Sequence, residues 1–138
     1  MPITYELDRA TGIARLTGTG EVLPAEWVDV MDRILRDPDH EPGMGFLMDR
    51  RLVTNTPTTP MIRVATEFFL ARAEQLGRCR YASVVSDLAA YGMARMKSLL
   101  AESQVVTVQA FTDLAEAERW LREPSRASGP DISDSQAG

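Results

Sequence analysis

The feature that most constrains this chain is a change of hydrophobic period, from two to 3.6, that repeats along its length. "ITYELD" (Ile3 to Asp8) and "IARLTG" (Ile13 to Gly18) alternate apolar and polar residues, as strands with one wet face do. "RATG" between them ends in a glycine suited to a tight turn, so the pair reads as a hairpin. In "LPAEWVDVMDRILRD", Trp27, Val28, Met31, Ile34 and Leu35 recur at helical spacing, and Pro24 suits a first helical turn. "GFLMD" (Gly45 to Asp49) is a short apolar run closed by a carboxylate. "PMIRVATEFFLARAEQLG" then gives a helix from about Thr59 to Leu76, stopped by Gly77.

The alternation continues. "RYASVVSD" (Arg80 to Asp87) reads as a buried strand, and "LAAYGMARMKSLLAES" as a helix interrupted by Gly92. "VVTVQAF" (Val105 to Phe111) is the last strand. "TDLAEAERWLRE" is the last helix, with Thr112 as N-cap, Leu114, Ala117, Trp120 and Leu121 facing inward, and Glu118 and Arg122 spaced for an ion pair. The order β-β-α-β-α-β-α-β-α predicts an α/β domain over residues 1–123, with a mixed, largely parallel five-stranded sheet and right-handed crossovers. Residues 124–138 have no periodicity and little to bury, so they are expected to be a disordered tail.

Composition narrows the function classes. A length of 138 residues suits one core. The formal charge of −5 argues against nucleic acid, which needs a basic face. No apolar run approaches the ~18 residues of a membrane span, and "MPITYELDR" does not read as a signal peptide, so the expected location is the cytoplasm. Cys79 is the single cysteine and reads as a small buried hydrophobe. His40 lies in the acidic loop "DPDHEPG" with no nucleophile signature beside it, and is expected to face solvent. Asp37, Asp39 and Glu41 lack the spacing of a calcium loop. No metal, cofactor or catalytic residue is predicted. The glycines of "TGTG" lack the spacing of a dinucleotide loop and read as turn residues.

Several phrases resemble the SpoIIAA-like branch of the STAS (sulfate transporter and anti-sigma factor antagonist) proteins. The most specific are "YGMARMKSLLAE" and "VQAFTDLAEAERWL"; "FLMD" and "TGTGEV" fit more loosely. The resemblance covers about residues 3–123. It implies a regulatory or binding module rather than an enzyme, and raises Arg95 above the other arginines. In anti-sigma factor antagonists of this family a serine at the start of the second helix is phosphorylated by a partner kinase, which blocks partner binding. Thr58 and Thr59 fall at the matching positions, with Pro57 and Pro60 where the family has an acid and a glycine.

The stretch "TNTPTTP" (Thr54 to Pro60) therefore carries three readings: Thr58 or Thr59 as an ordinary helix cap, as a partner or ligand contact, or as a phosphorylation site. In open α/β sheets ligands favour the carboxyl ends of parallel strands. Those ends are expected to supply Asp49, Arg50 and Arg51, then Ser86 and Asp87, then Thr112 and Asp113, with Arg95 reaching over them or held in a structural salt bridge. Asp49 has the plainer alternative of pairing with an arginine. The expected partner is a protein or a small apolar or anionic ligand. A phospho-regulated switch and a small enzyme using Asp49, Asp87 and Arg95 are the rivals; the enzyme would need a concave pocket at the strand ends and a carboxylate of raised pKa. The run Phe68, Phe69 and Leu70 offers a homodimer face.

Overall fold

The computed structural model describes residues 2–88 and 105–123. Strands β1 (Ile3–Asp8), β2 (Ile13–Gly20), β3 (Gly45–Val53), β4 (Cys79–Val84) and β5 (Val106–Phe111) form one sheet in the order β1-β2-β3-β4-β5. The β1–β2 hairpin is antiparallel and every later pairing is parallel. Helices α1 (Pro24–Arg36), α2 (Thr59–Ala71), α3 (Ala73–Leu76) and α4 (Leu114–Arg122) complete the described elements. The fold is thus the mixed, largely parallel α/β architecture that the periodicity predicts. The helix expected within "LAAYGMARMKSLLAES", Arg95 included, and the tail 124–138 lie outside the described residues.

Two apolar faces make the core. Because side chains alternate along a strand, Ala14, Leu16, Phe46, Met48, Tyr81 and Val108 fall on one side, where Trp27, Met31 and Ile34 of α1 and Ile62 and Phe69 of α2 bury against them. Ile13, Leu47, Ala82 and Val84 fall on the other, under Ala117 of α4. The first face is centred on Trp27, whose ring meets Phe68 and Phe69 edge-on at 5.4 and 5.6 Å, and whose Nε1 donates to the Tyr81 hydroxyl at 2.9 Å. An indole buried this deeply needs such an acceptor.

Several expectations need correction. β3 runs to Val53, so Asp49 lies mid-strand, level with Val84 at the end of β4, and β3 overhangs β4 by its last four residues (Arg50 to Val53). Gly18 is not a turn residue: it lies within β2, where a Cβ would come within 2.7 Å of Val53 Cγ2 and 2.9 Å of Met48 Cε. Strand β2 and the overhang need that close approach. The long second helix breaks at Arg72, whose guanidinium turns to Asp32 at 3.3 Å. Asp113, not Thr112, caps α4, accepting from Ala115 N at 2.8 Å. Glu118 engages Arg15 on β2, because that arginine projects toward α4 from the same sheet face. Phe68 and Phe69 are in the core, so the expected dimer face reduces to Leu70. His40 is half-buried against Phe46, with Nε2 out of contact with water.

Candidate functional site

The overhang of β3 shapes the carboxyl end of the sheet. Beyond Asp49 the strand keeps β2 as a neighbour, through Thr19↔Leu52 and Gly20↔Val53, after a register shift between Thr17 and Thr19. Its other side is free of β4. The chain then turns through Thr54 to Pro57 into α2. Asn55 anchors this turn: its Oδ1 accepts from Val22 N and its Nδ2 donates to Val22 O, both at 2.9 Å. A side-chain amide reproduces a peptide's donor and acceptor, so Asn55 joins the β2–α1 connection to the β3–α2 connection as an added strand would.

Thr58 is the N-cap of α2. Its Oγ1 accepts from Met61 N at 3.3 Å, its side chain is exposed, and Thr59 and Pro60 form the first helical positions. Ile62 N donates to Thr58 O at 3.0 Å and Pro60 has no N–H, so the cap and the first helical bond together account for Met61 and Ile62.

The arginine pair divides between the sheet faces. Arg50 turns toward α2 and is buried at 7% exposure, with Nη2 donating to Asn55 O at 3.2 Å. Arg51 points to the other face and grips Asp49 with both prongs, Nε to Oδ1 at 2.9 Å and Nη2 to Oδ2 at 2.8 Å. Those hydrogen bonds hold the Asp49 carboxyl below the usual carboxylate range. Asp49 is therefore an anion at neutral pH and has no proton to donate.

Arg50, Ser86 and Asp87 do come together. With Val53, Asn55, Thr56 and Val85 they line a shallow groove of about 130 Å³. Ser86 Oγ donates to Arg51 O at 3.3 Å, joining the chain after β4 to the β3 overhang. Arg50 also borders a space of about 40 Å³ beneath α2, walled by Trp27, Met61, Ile62, Phe69 and Tyr81. Asp49 and Arg51 do not reach the groove, and Arg95 lies outside the described residues. Asn55 is the residue that sequence reasoning missed; an asparagine between a strand and a helix reads as an ordinary turn former, and nothing local points to Val22.

A solved structure has the same architecture. The crystal structure of an uncharacterized DUF3478-family protein with a SpoIIAA-like fold, from Shewanella loihica PV-4, superimposes with a TM-score of 0.57. The match covers 86% of this chain and 93% of the other, at 13% identity. The fold is SpoIIAA-like. No family model matches the sequence, and no curated protein does. At that identity the SpoIIAA-like neighbour speaks for the fold alone, so the chemistry rests on the groups described above. Among the described residues no cluster of three or more His, Cys, Asp or Glu is arranged to hold a metal ion, and no helix is long and apolar enough to cross a membrane.

Proposed function

We propose that the protein is a cytoplasmic, non-enzymatic binding module whose partner is another protein, docked at the carboxyl end of the sheet. The placement of leucines carries this reading. Among the described residues four large apolar side chains are exposed, and three of them lie at the carboxyl ends of adjacent strands: Leu52 (68%) is the penultimate residue of β3, and Leu23 (48%) and Leu88 (45%) follow β2 and β4. Exposed apolar groups gathered at one end of a sheet are what a partner covers. Covering what remains exposed of each is worth about half to two-thirds of the roughly 1.5–3 kcal/mol of a full leucine burial. Exposed Arg51, Thr56 and Asp87 supply a polar rim.

The groove beside them favours a protein over a small ligand. Its volume of about 130 Å³ falls below the roughly 300–1,000 Å³ of small-molecule pockets. The ionised state of Asp49 supports a non-enzymatic role, since a general acid there would need its proton held by burial.

Affinity capture with the intact chain tests the reading. A partner held by the unaltered protein and by Leu70→Asp, but lost from Leu52→Asp, supports it. A partner held equally by both variants, or no protein captured at all, counts against it.

A phospho-regulated form of the same module has its own support: Thr58 is exposed at the start of α2, at the same end as the three leucines. A phosphate there adds a charge of about −1.5 to −2 beside an apolar docking surface. Mass spectrometry of the peptide carrying Thr58 and Thr59, from cells in several growth phases, decides it; an unmodified peptide throughout removes the switch and leaves the binding module standing.

A further inference from the structure

A larger concavity, of about 570 Å³, opens at the opposite end of the sheet, where β3 and β4 begin and α4 ends. We propose that this basin binds a small phosphorylated organic anion, held by Arg78 and Arg122. The proposal stands apart from the docking surface, which lies at the other end of the strands.

Charge accounting points to it. The basin walls carry Arg9, Arg78, Arg80 and Arg122 against Asp39, Glu41 and Glu123. Arg9 lies 3.7 Å from Asp39 and 3.6 Å from Glu41, and Arg80 lies 3.4 Å from Glu123. Two arginines thus answer all three acids. Arg78 and Arg122 line the same space, and neither has a hydrogen-bond or ion-pair partner for its side chain among the described residues. The walls sum to +1 (four arginines less three acids) in a chain whose formal charge is −5.

The basin's shape suits an anion as well. Its volume falls within the roughly 300–1,000 Å³ range of ligand pockets. Arg80 is fixed without a ligand: its guanidinium stacks 5.0 Å over the Trp120 ring and donates to Trp120 O, which masks a carbonyl at the negative end of α4. The backbone is bare where Gly12 and Gly43 line the space. A Cβ on Gly12 would meet nothing within 4 Å, and one on Gly43 only Arg78 O at 3.9 Å. Both glycine amides are already committed, Gly12 N to Asp8 O at 2.9 Å and Gly43 N to Leu76 O at 2.7 Å, so these glycines give a ligand room and leave the donating to the arginines. Two uncommitted guanidinium groups on the walls of one basin supply the positive charge and the N–H forks that a phosphate monoester takes.

The test is an NMR titration of the full chain with inorganic phosphate, following the amides of Gly12, Gly43 and Arg78. Expected are saturable shifts confined to the basin, an affinity that falls with added salt, and binding about tenfold or more weaker in the Arg78→Ala, Arg122→Ala double variant. An Arg51→Ala control at the far end should bind as the unaltered chain does. Both basin arginines are exposed, so the double variant should fold, and an unchanged circular dichroism spectrum verifies it. Absent shifts, shifts spread over the whole chain, or shifts that survive in the double variant overturn the proposal.

Discussion

Asn55 holds both backbone groups of Val22, N–H and C=O, at 2.9 Å each across 33 positions of sequence. Asn55→Ala orphans two backbone groups of a buried residue, at about 1–3 kcal/mol each if water does not replace the amide. Asn55→Asp keeps an acceptor for Val22 N and loses the donor, so it should fall between. Urea unfolding midpoints for the three proteins check the order; an Asn55→Ala midpoint equal to that of the unaltered chain would mean the latch is idle.

Trp27 and Tyr81 make a second, simpler test. Tyr81→Phe removes the hydroxyl that accepts from the indole Nε1 while leaving the ring contacts with Phe46 and Phe69 in place. A loss of about 1–3 kcal/mol is expected from the stranded donor. Tryptophan emission reports the same change, provided Trp120, exposed at the α4 surface in part, is subtracted with a Trp120→Phe background.

Gly77 joins α3 to β4 at φ +64°, and a Cβ there would lie 2.8 Å from Gly43 N and 3.0 Å from Pro42 Cβ. Backbone cannot yield as a flexible side chain does. Gly77→Ala should cost about 2–4 kcal/mol, the left-handed conformation and the overpacking together. A shift in thermal midpoint of several degrees checks it, and because Gly43 lines the basin, phosphate binding should weaken in the same variant.

His40 supplies a pH signature. Burial against Phe46 lowers its pKa from the ordinary 6.5, and the Asp37 and Glu41 charges oppose the shift without reversing it. Well above 6.5 the ring is neutral whether folded or not, so it contributes no pH dependence there. As pH falls from 6.5 toward the lowered value, the unfolded chain takes the proton first and stability declines. Asp8 and Asp49, whose pKa values are depressed, act separately: their stabilisation is lost only as pH falls below 3.8. His40→Phe should flatten the upper slope and leave the lower one. A slope unchanged by the substitution would place its origin elsewhere.

Much of the fold was legible because its signals are local. Trp27, Met31, Ile34 and Leu35 announce the buried stripe of α1 by spacing, and all four are buried. The hairpin and the alternating helices follow from period alone. The end of β3 was not legible: Arg50 and Arg51 look like the close of an apolar strand, yet one is buried with its charge hydrogen-bonded to Asn55 O and the other folds back onto Asp49. Periodicity has no means of registering a buried guanidinium. The same holds for Gly18, whose reason lies in Val53 and Met48, and for the basin, assembled from segments at both ends of the chain.

In this sheet spatial order and chain order coincide, β1 through β5. Each strand can therefore dock on the one made immediately before it, and none has to be inserted between two others or held waiting for a later neighbour. Such a chain closes its sheet by successive short steps, which lowers the sequence separation of contacts and favours rapid folding for a parallel topology. During synthesis the growing sheet always has a single advancing edge, so at every moment only the newest strand lacks its next neighbour.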